Sequence, residues 1–131
     1  MHTVLVVDDE FGVVEVLVAA LEDEGYRVVS AANGRHGLEQ VGEHHPDIVL
    51  VDYMMPLMSG VAMVQKMRAD PSMQALPVIF MSAVSESVLR ESITAYSAFL
   101  RKPFRAATLV DLVKTTLGSD TASPETVTAT P

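Results

Sequence analysis

The chain has 131 residues, 49% of them hydrophobic and 20% charged, a size and balance that fit one globular domain with its own core. Its net charge of −8 argues against non-specific nucleic-acid binding through a broad basic face, and the absence of cysteine excludes disulfides, thiolate metal sites and cysteine nucleophiles. No stretch approaches the ~20 apolar residues of a membrane span and the N-terminal apolar run is too short for a signal peptide, so a soluble, cytoplasmic protein without a membrane partner is expected.

Val4–Val7 is a β-branched and apolar run that meets Asp8, Asp9 and Glu10. An apolar run without alternation suits a strand covered on both faces, as in a parallel sheet. Val13, Val14, Leu17, Val18 and Leu21 then recur at the spacing of one helix face, and Gly25 stands where a left-handed cap is usual. A weaker strand over Tyr26–Ser30 follows. The Asn33-Gly34 turn opens a second helix over Gly37–His44, which stops before Pro46. Ile48–Val51 repeats the first run and meets Asp52. Ser59 is a candidate cap for a third helix that buries Val61, Val64 and Met67. Val78–Met81 is another apolar strand, meeting Ser82, and Ser85 is a candidate cap for a fourth helix with Val88, Leu89 and Ile93 inward. Ala98–Leu100 reads as a weak strand followed by Lys102-Pro103, and a fifth helix runs from Ala106 to Leu117 with Leu109, Leu112 and Val113 inward. From Gly118 onward the chain is rich in Thr, Ser, Ala and Pro with almost nothing to bury. The domain is therefore expected over residues 1–117, with a disordered tail or linker stub over 118–131.

Strand and helix alternating five times imply parallel strands joined by right-handed crossovers, a doubly wound α/β fold. Ligands in such sheets sit outside the carboxyl ends of the strands, where the strand order reverses. Those ends carry Asp8-Asp9, Asp52, Ser82 and Lys102, so three carboxylates, a hydroxyl and an ammonium converge on one edge. Carboxylates that close repel one another and titrate as a coupled set, and a divalent cation removes the conflict. All-oxygen ligation suits Mg²⁺, with Mn²⁺ as a substitute. A metal-bridged carboxylate can attack phosphorus to give an aspartyl phosphate, with the metal, the lysine and the hydroxyl neutralising the transferring oxygens.

The segments VLVVDDE, DIVLVDYMMPLMSG, PVIFMSA and FLRKPF, in this order across roughly residues 3–117, resemble the motifs of the response-regulator receiver domain, the CheY-like family of two-component signalling. The resemblance implies a flavodoxin-like five-stranded parallel sheet in the order 2-1-3-4-5. It implies that Asp52 is the phosphoacceptor, that Asp9 ligates Mg²⁺ directly, that Asp8 does so directly or through water, and that the backbone carbonyl of Met54 is a further ligand. Ser82 would hydrogen-bond the phosphoryl group and move on phosphorylation, and Phe99 would swing inward with it. Ala83 would leave the site open to the donor. Lys102 would pair with a phosphoryl oxygen, aimed inward by a cis peptide bond before Pro103. The implied partners are a sensor histidine kinase or phosphotransfer protein and a downstream protein target, without direct nucleic-acid contact; pairing into a homodimer is left open. The implied activity is self-catalysed phosphotransfer and dephosphorylation, not metabolic catalysis.

Each residue also has a plainer use. Asp8 and Asp9 would serve as helix caps, Asp52 as a turn residue and Lys102 as a solvated charge; their joint occurrence favours a site. His2, His36, His44 and His45 share no metal motif, and most methionines read as core filler. The segment between Ser82 and Lys102 is shorter than usual in the family, and Tyr96-Ser97-Ala98 stands where members often have Gly-Ala-Asp. The fourth helix or its following loop is therefore expected to be shortened, with an unusual output face. Three alternatives remain in view. A degenerate receiver would use the fold as a phosphorylation-independent interaction module. A flavin carrier needs a phosphate cradle after the first strand, which Asp8-Asp9-Glu10 would repel. A common aspartate phosphohydrolase needs an acid where Met54 stands.

Overall fold

The structure, a computed structural model, describes residues 1–122. Its strands are β1 (Thr3–Val7), β2 (Arg27–Ala31), β3 (Ile48–Asp52), β4 (Val78–Ser82) and β5 (Ala98–Arg101), and its helices are α1 (Phe11–Asp23), α2 (Gly34–His44), α3 (Gly60–Ala69), α4 (Glu86–Arg90) and α5 (Ala106–Ala122). The strands form one parallel sheet in the order β2-β1-β3-β4-β5, as expected from the sequence.

Between their first and last residues the three central strands contain no polar residue, because both faces of the sheet are covered. Val4, Val6, Ile48, Leu50, Ile79 and Met81 face α1 and α5, while Leu5, Val7, Val49, Val51, Val78 and Phe80 face α2, α3 and α4. All twelve are completely buried. At roughly 1.5–3 kcal/mol for each large apolar side chain removed from water, these strands dominate the stability of the domain.

Local signals hold in most places. Gly25 has a φ of 92°, a conformation that side chains resist, and ends α1. Ser59 Oγ accepts from the Ala62 N–H at 3.1 Å, capping α3. Three expectations need correcting at helix starts and faces. Asn33 is a cap: its Oδ1 accepts from the His36 N–H at 2.9 Å, so α2 begins at Gly34 and not at Gly37. α4 is a single turn, so only Leu89 and the following Ile93 are buried and Val88 faces solvent. Ser85 makes no cap hydrogen bond; its Oγ pairs with Ser87 Oγ at 3.0 Å. The expected shortening between Ser82 and Lys102 thus falls on α4.

α5 continues past Leu117 to Ala122, which moves the start of the expected tail; the first proline after Ala106 is Pro124. The rest of the expected tail, 123–131, lies outside the described residues. No helix among the described residues is long and apolar enough to cross a membrane.

Candidate functional site

The strand order reverses between β1 and β3, since β1 pairs with both β2 and β3. The register sets Val7 beside Val51, so the next residues, Asp8 and Asp52, emerge side by side at the carboxyl edge. On the other flank Asp52 pairs with Met81, and Ser82 pairs with Arg101. The Lys102 N–H donates to the Ser82 carbonyl at 2.7 Å, and the Lys102–Pro103 bond is cis.

Carboxylate oxygens of Asp8, Asp9 and Asp52 lie within 4.8 Å of one another. Asp8 and Asp52 are buried and Asp9 is exposed. Lys102 Nζ stands 2.8 Å from Asp8 Oδ2, 2.9 Å from Glu10 Oε1 and 3.2 Å from Asp52 Oδ1. The second oxygen of Asp8 accepts from the Glu10 N–H at 2.9 Å. Burial, then repulsion from Asp8, pushes the Asp52 carboxyl up to about 6, against the pull of Lys102. For Lys102, burial opposes the charged form, but hydrogen bonds to Asp8 and Glu10 and the charges of Asp52 and Asp8 outweigh it, and its pKa is raised.

The donor set fits a hard divalent cation. It offers carboxylate oxygens from three residues and no nitrogen or sulfur ligand. One ammonium faces the Asp8, Glu10 and Asp52 carboxylates, with Asp9 alongside, so the negative charge is incompletely balanced.

The remaining expected site residues sit around this centre. Ser82 is buried at the end of β4, where its Oγ accepts from the Val84 N–H at 2.9 Å. Ala83 and Lys102 line a cleft of about 540 Å³ together with Glu10, Val13, Val16 and Phe104. The Met54 side chain projects into solvent. Phe99 is half-buried in β5, in register with Phe80 and packed on the α2–α4 side of the sheet.

Three contributions escaped the sequence. Glu10 turns out to be a partner of Lys102. Gly60 lies against the Asp52 backbone, so closely that a Cβ there would collide with the Asp52 carbonyl oxygen. Tyr96 packs edge-on against Phe80, ring centroids 5.6 Å apart, and donates to Glu86 Oε2 at 2.7 Å. Only the Glu10 contact had a visible signal, a third acid directly after the pair.

A doubly wound sheet with an acid cluster and a lysine at its switch point has the layout of a signalling receiver. Residues 4–114 match the family model described as the response regulator receiver domain, and the chain belongs to that family. It is 37% identical over 126 residues to the response regulator Rre1 of Synechocystis sp. (strain ATCC 27184 / PCC 6803 / Kazusa), covering 94% of this chain and 54% of that protein. It is 30% identical over 123 residues to the DNA-binding response regulator MtrA of Mycobacterium leprae (strain TN), covering 92% and 53%. The signal receiver domain of a signal transduction histidine kinase from Syntrophus aciditrophicus superimposes with a TM-score of 0.84 at 28% identity, covering 97% of this chain and 98% of that one. The chain spans about half the length of the curated relatives it matches. It is a receiver domain of two-component signalling, with a signalling role and not that of a classical enzyme.

Proposed function

We propose that Asp52 accepts a phosphoryl group from a histidine of a sensor kinase or phosphotransfer protein, and that the aspartyl phosphate switches a protein-binding face. The observation that carries this reading is the Lys102 ammonium 3.2 Å from Asp52 Oδ1, with Asp8 and Asp9 alongside at the switch point of the sheet. An Asp52 oxygen forms the new bond to phosphorus as the bond from phosphorus to the donor imidazole breaks; the imidazole nitrogen keeps the electron pair and takes a proton from solvent. Lys102 then pairs with a phosphoryl oxygen. Asp8, Asp9 and Asp52, with the Met54 carbonyl, would hold Mg²⁺, which when bound supplies charge neutralisation at the reacting oxygens.

In this reading Ser82 Oγ leaves the Val84 N–H for the phosphoryl group, and Phe99 follows it inward. That motion biases a two-state equilibrium of the domain. Ala83, with no side chain beyond Cβ, keeps the approach open. The donor meets the apolar cleft beside Lys102, flanked by the strongly exposed Phe11 and Val16 at the start of α1. Self-catalysed hydrolysis of the phosphoryl group, a cytoplasmic setting and a downstream protein target complete the proposal. Direct nucleic-acid contact by the described residues is not part of it, since the net charge is −8; the DNA binding in the name of MtrA belongs to a protein of which this chain matches about half.

Incubation with Mg²⁺ and acetyl phosphate, followed by intact-mass measurement, tests the reading. One added phosphoryl group in the wild type, none without metal and none in Asp52→Asn is the expected result. Full incorporation by Asp52→Asn would remove Asp52 from its role, and absence of both incorporation and Mg²⁺ binding would favour the phosphorylation-independent module.

A further inference from the structure

Lys102 has three N–H donors and three acidic neighbours, Asp8, Glu10 and Asp52. Two of these, Asp8 and Asp52, also belong to the acid cluster with Asp9, whereas Glu10 does not. A cation held by that cluster competes with Lys102 for Asp8 and Asp52 and leaves the Glu10 contact untouched. Glu10 is also placed for the task in a way that its own helix does not explain. It is the N-cap of α1, yet its side chain makes no cap hydrogen bond. Its backbone N–H is pinned by Asp8 Oδ1 at 2.9 Å, and its carboxylate turns to Lys102 at 2.9 Å, at the mouth of the cleft.

We propose that Glu10 is a positioning residue for Lys102: it holds the ammonium at the mouth of the site when the acid cluster is engaged, and a phosphoryl oxygen at Asp52 has to compete with it. The proposal rests on the reading of Asp52 as phosphoacceptor. Two consequences follow from the geometry. The ammonium stays restrained by Glu10 when Asp8 and Asp52 turn to a cation. The Glu10 carboxylate also opposes any dianion arriving beside Lys102, so it lowers the affinity of the site for a phosphoryl group and sets how readily the site charges and discharges. A receiver lacking this carboxylate would bind the phosphoryl group more tightly for the same cluster of aspartates.

The experiment compares the wild type with Glu10→Gln, which removes the charge, and Glu10→Asp, which keeps the charge but is one CH₂ shorter. The first readout is acetylation of Lys102 by an amine-reactive ester in the presence of Mg²⁺, followed by peptide mass spectrometry. Because one charge-assisted contact holds the amine, both variants are expected to label about 3- to 10-fold faster than the wild type. The second readout is calorimetric titration with beryllofluoride in Mg²⁺. Both variants are expected to bind it about 3- to 10-fold more tightly, with Mg²⁺ affinity changed less than about 2-fold. Wild-type labelling rates in Glu10→Gln overturn the proposal. So does faster labelling with unchanged beryllofluoride affinity, because the competition is then absent. Glu10→Asp behaving as wild type in both readouts overturns the contact in favour of general charge. A wild type that fails to bind beryllofluoride removes the phosphoacceptor reading, and with it the competition, while the labelling comparison still decides whether Glu10 holds Lys102.

Discussion

Replacing Asp52 by Asn should make the metal-free protein more stable at neutral pH. Burial and the Asp8 carboxylate raise the Asp52 pKa from 3.8 to about 6 despite Lys102. A carboxyl whose folded pKa lies above its unfolded value binds its proton more tightly in the folded state, so stability falls as pH rises between the two values. Carried above pH 6, that difference is worth about 3 kcal/mol at most, and about 1–3 kcal/mol once water at the site mouth screens it. Asn stands in for the neutral acid and escapes the penalty. In urea, with about 1.5 kcal/mol per molar, the Asp52→Asn midpoint should lie ~1 M above the wild type at pH 7.5 in EDTA. The gap should narrow to about half a kcal/mol by pH 4, where the folded acid is protonated and the unfolded one is partly so. Adding Mg²⁺ should raise the wild-type midpoint more than that of the variant, because only the wild type keeps the full acid cluster. Equal or lower stability of Asp52→Asn at pH 7.5 in EDTA would refute the argument, since it would mean that Lys102 already outweighs burial and Asp8.

Gly60→Ala should lose about 2 kcal/mol or more, because its Cβ would strike the Asp52 carbonyl and push the backbone of the acid away; a lower urea midpoint together with weaker Mg²⁺ binding would show it. Leu50→Ala, at a completely buried centre of β3, should cost 2–5 kcal/mol by the usual large-to-small rule, read from the thermal or urea midpoint. Arg68 donates to the carbonyls of Ala95, Gln74 and Leu76 at 2.9, 3.0 and 2.8 Å, tying the loop after α4 to the loop before β4. Arg68→Ala should cost about 1–3 kcal/mol and speed hydrogen exchange in the segment after α4; unchanged exchange there would show that the tie is dispensable.

The fold was legible because the central strands are apolar between their ends and run into acids or a hydroxyl, a pattern that suits a sheet covered on both faces. Helix ends were less so. Asn33 reads equally as a turn or as a cap, and only the acceptance of the His36 N–H decides between them. Val88 sits at a helical spacing from its neighbours, but a helix of one turn offers a single inward position, and Leu89 takes it. The acids and the lysine of the site could be named from their places at strand ends, because a parallel sheet puts all those ends on one edge. Glu10 could not be assigned in the same way. It follows two better candidates directly and was given no role of its own, and the turn of its side chain toward Lys102 depends on where β5 delivers that lysine. Tyr96 and Arg68 were likewise hidden, since their partners lie on other elements.

Lys102 and Asp8 are 94 positions apart in the chain, and nothing local brings them together. Between them stand three pairings: β1 with β3, β3 with β4, and β4 with β5. Each fixes the next by a register in which a slip of one residue would turn every apolar side chain to the other face. A slip between β4 and β5 would move Ser82 off Arg101 and carry Lys102 about 3.3 Å along the edge, farther than its hydrogen bond to Asp8 is long. The buried apolar faces therefore set the position of the polar edge to within the length of a hydrogen bond. Because Asp8, Asp52 and Lys102 all hang from those strands, the site assembles only when the whole sheet is paired. Binding of Mg²⁺ should thus disappear together with the global unfolding transition; loss of binding at a lower urea concentration than loss of helical circular dichroism would show that the acid edge can come apart while the core stays folded.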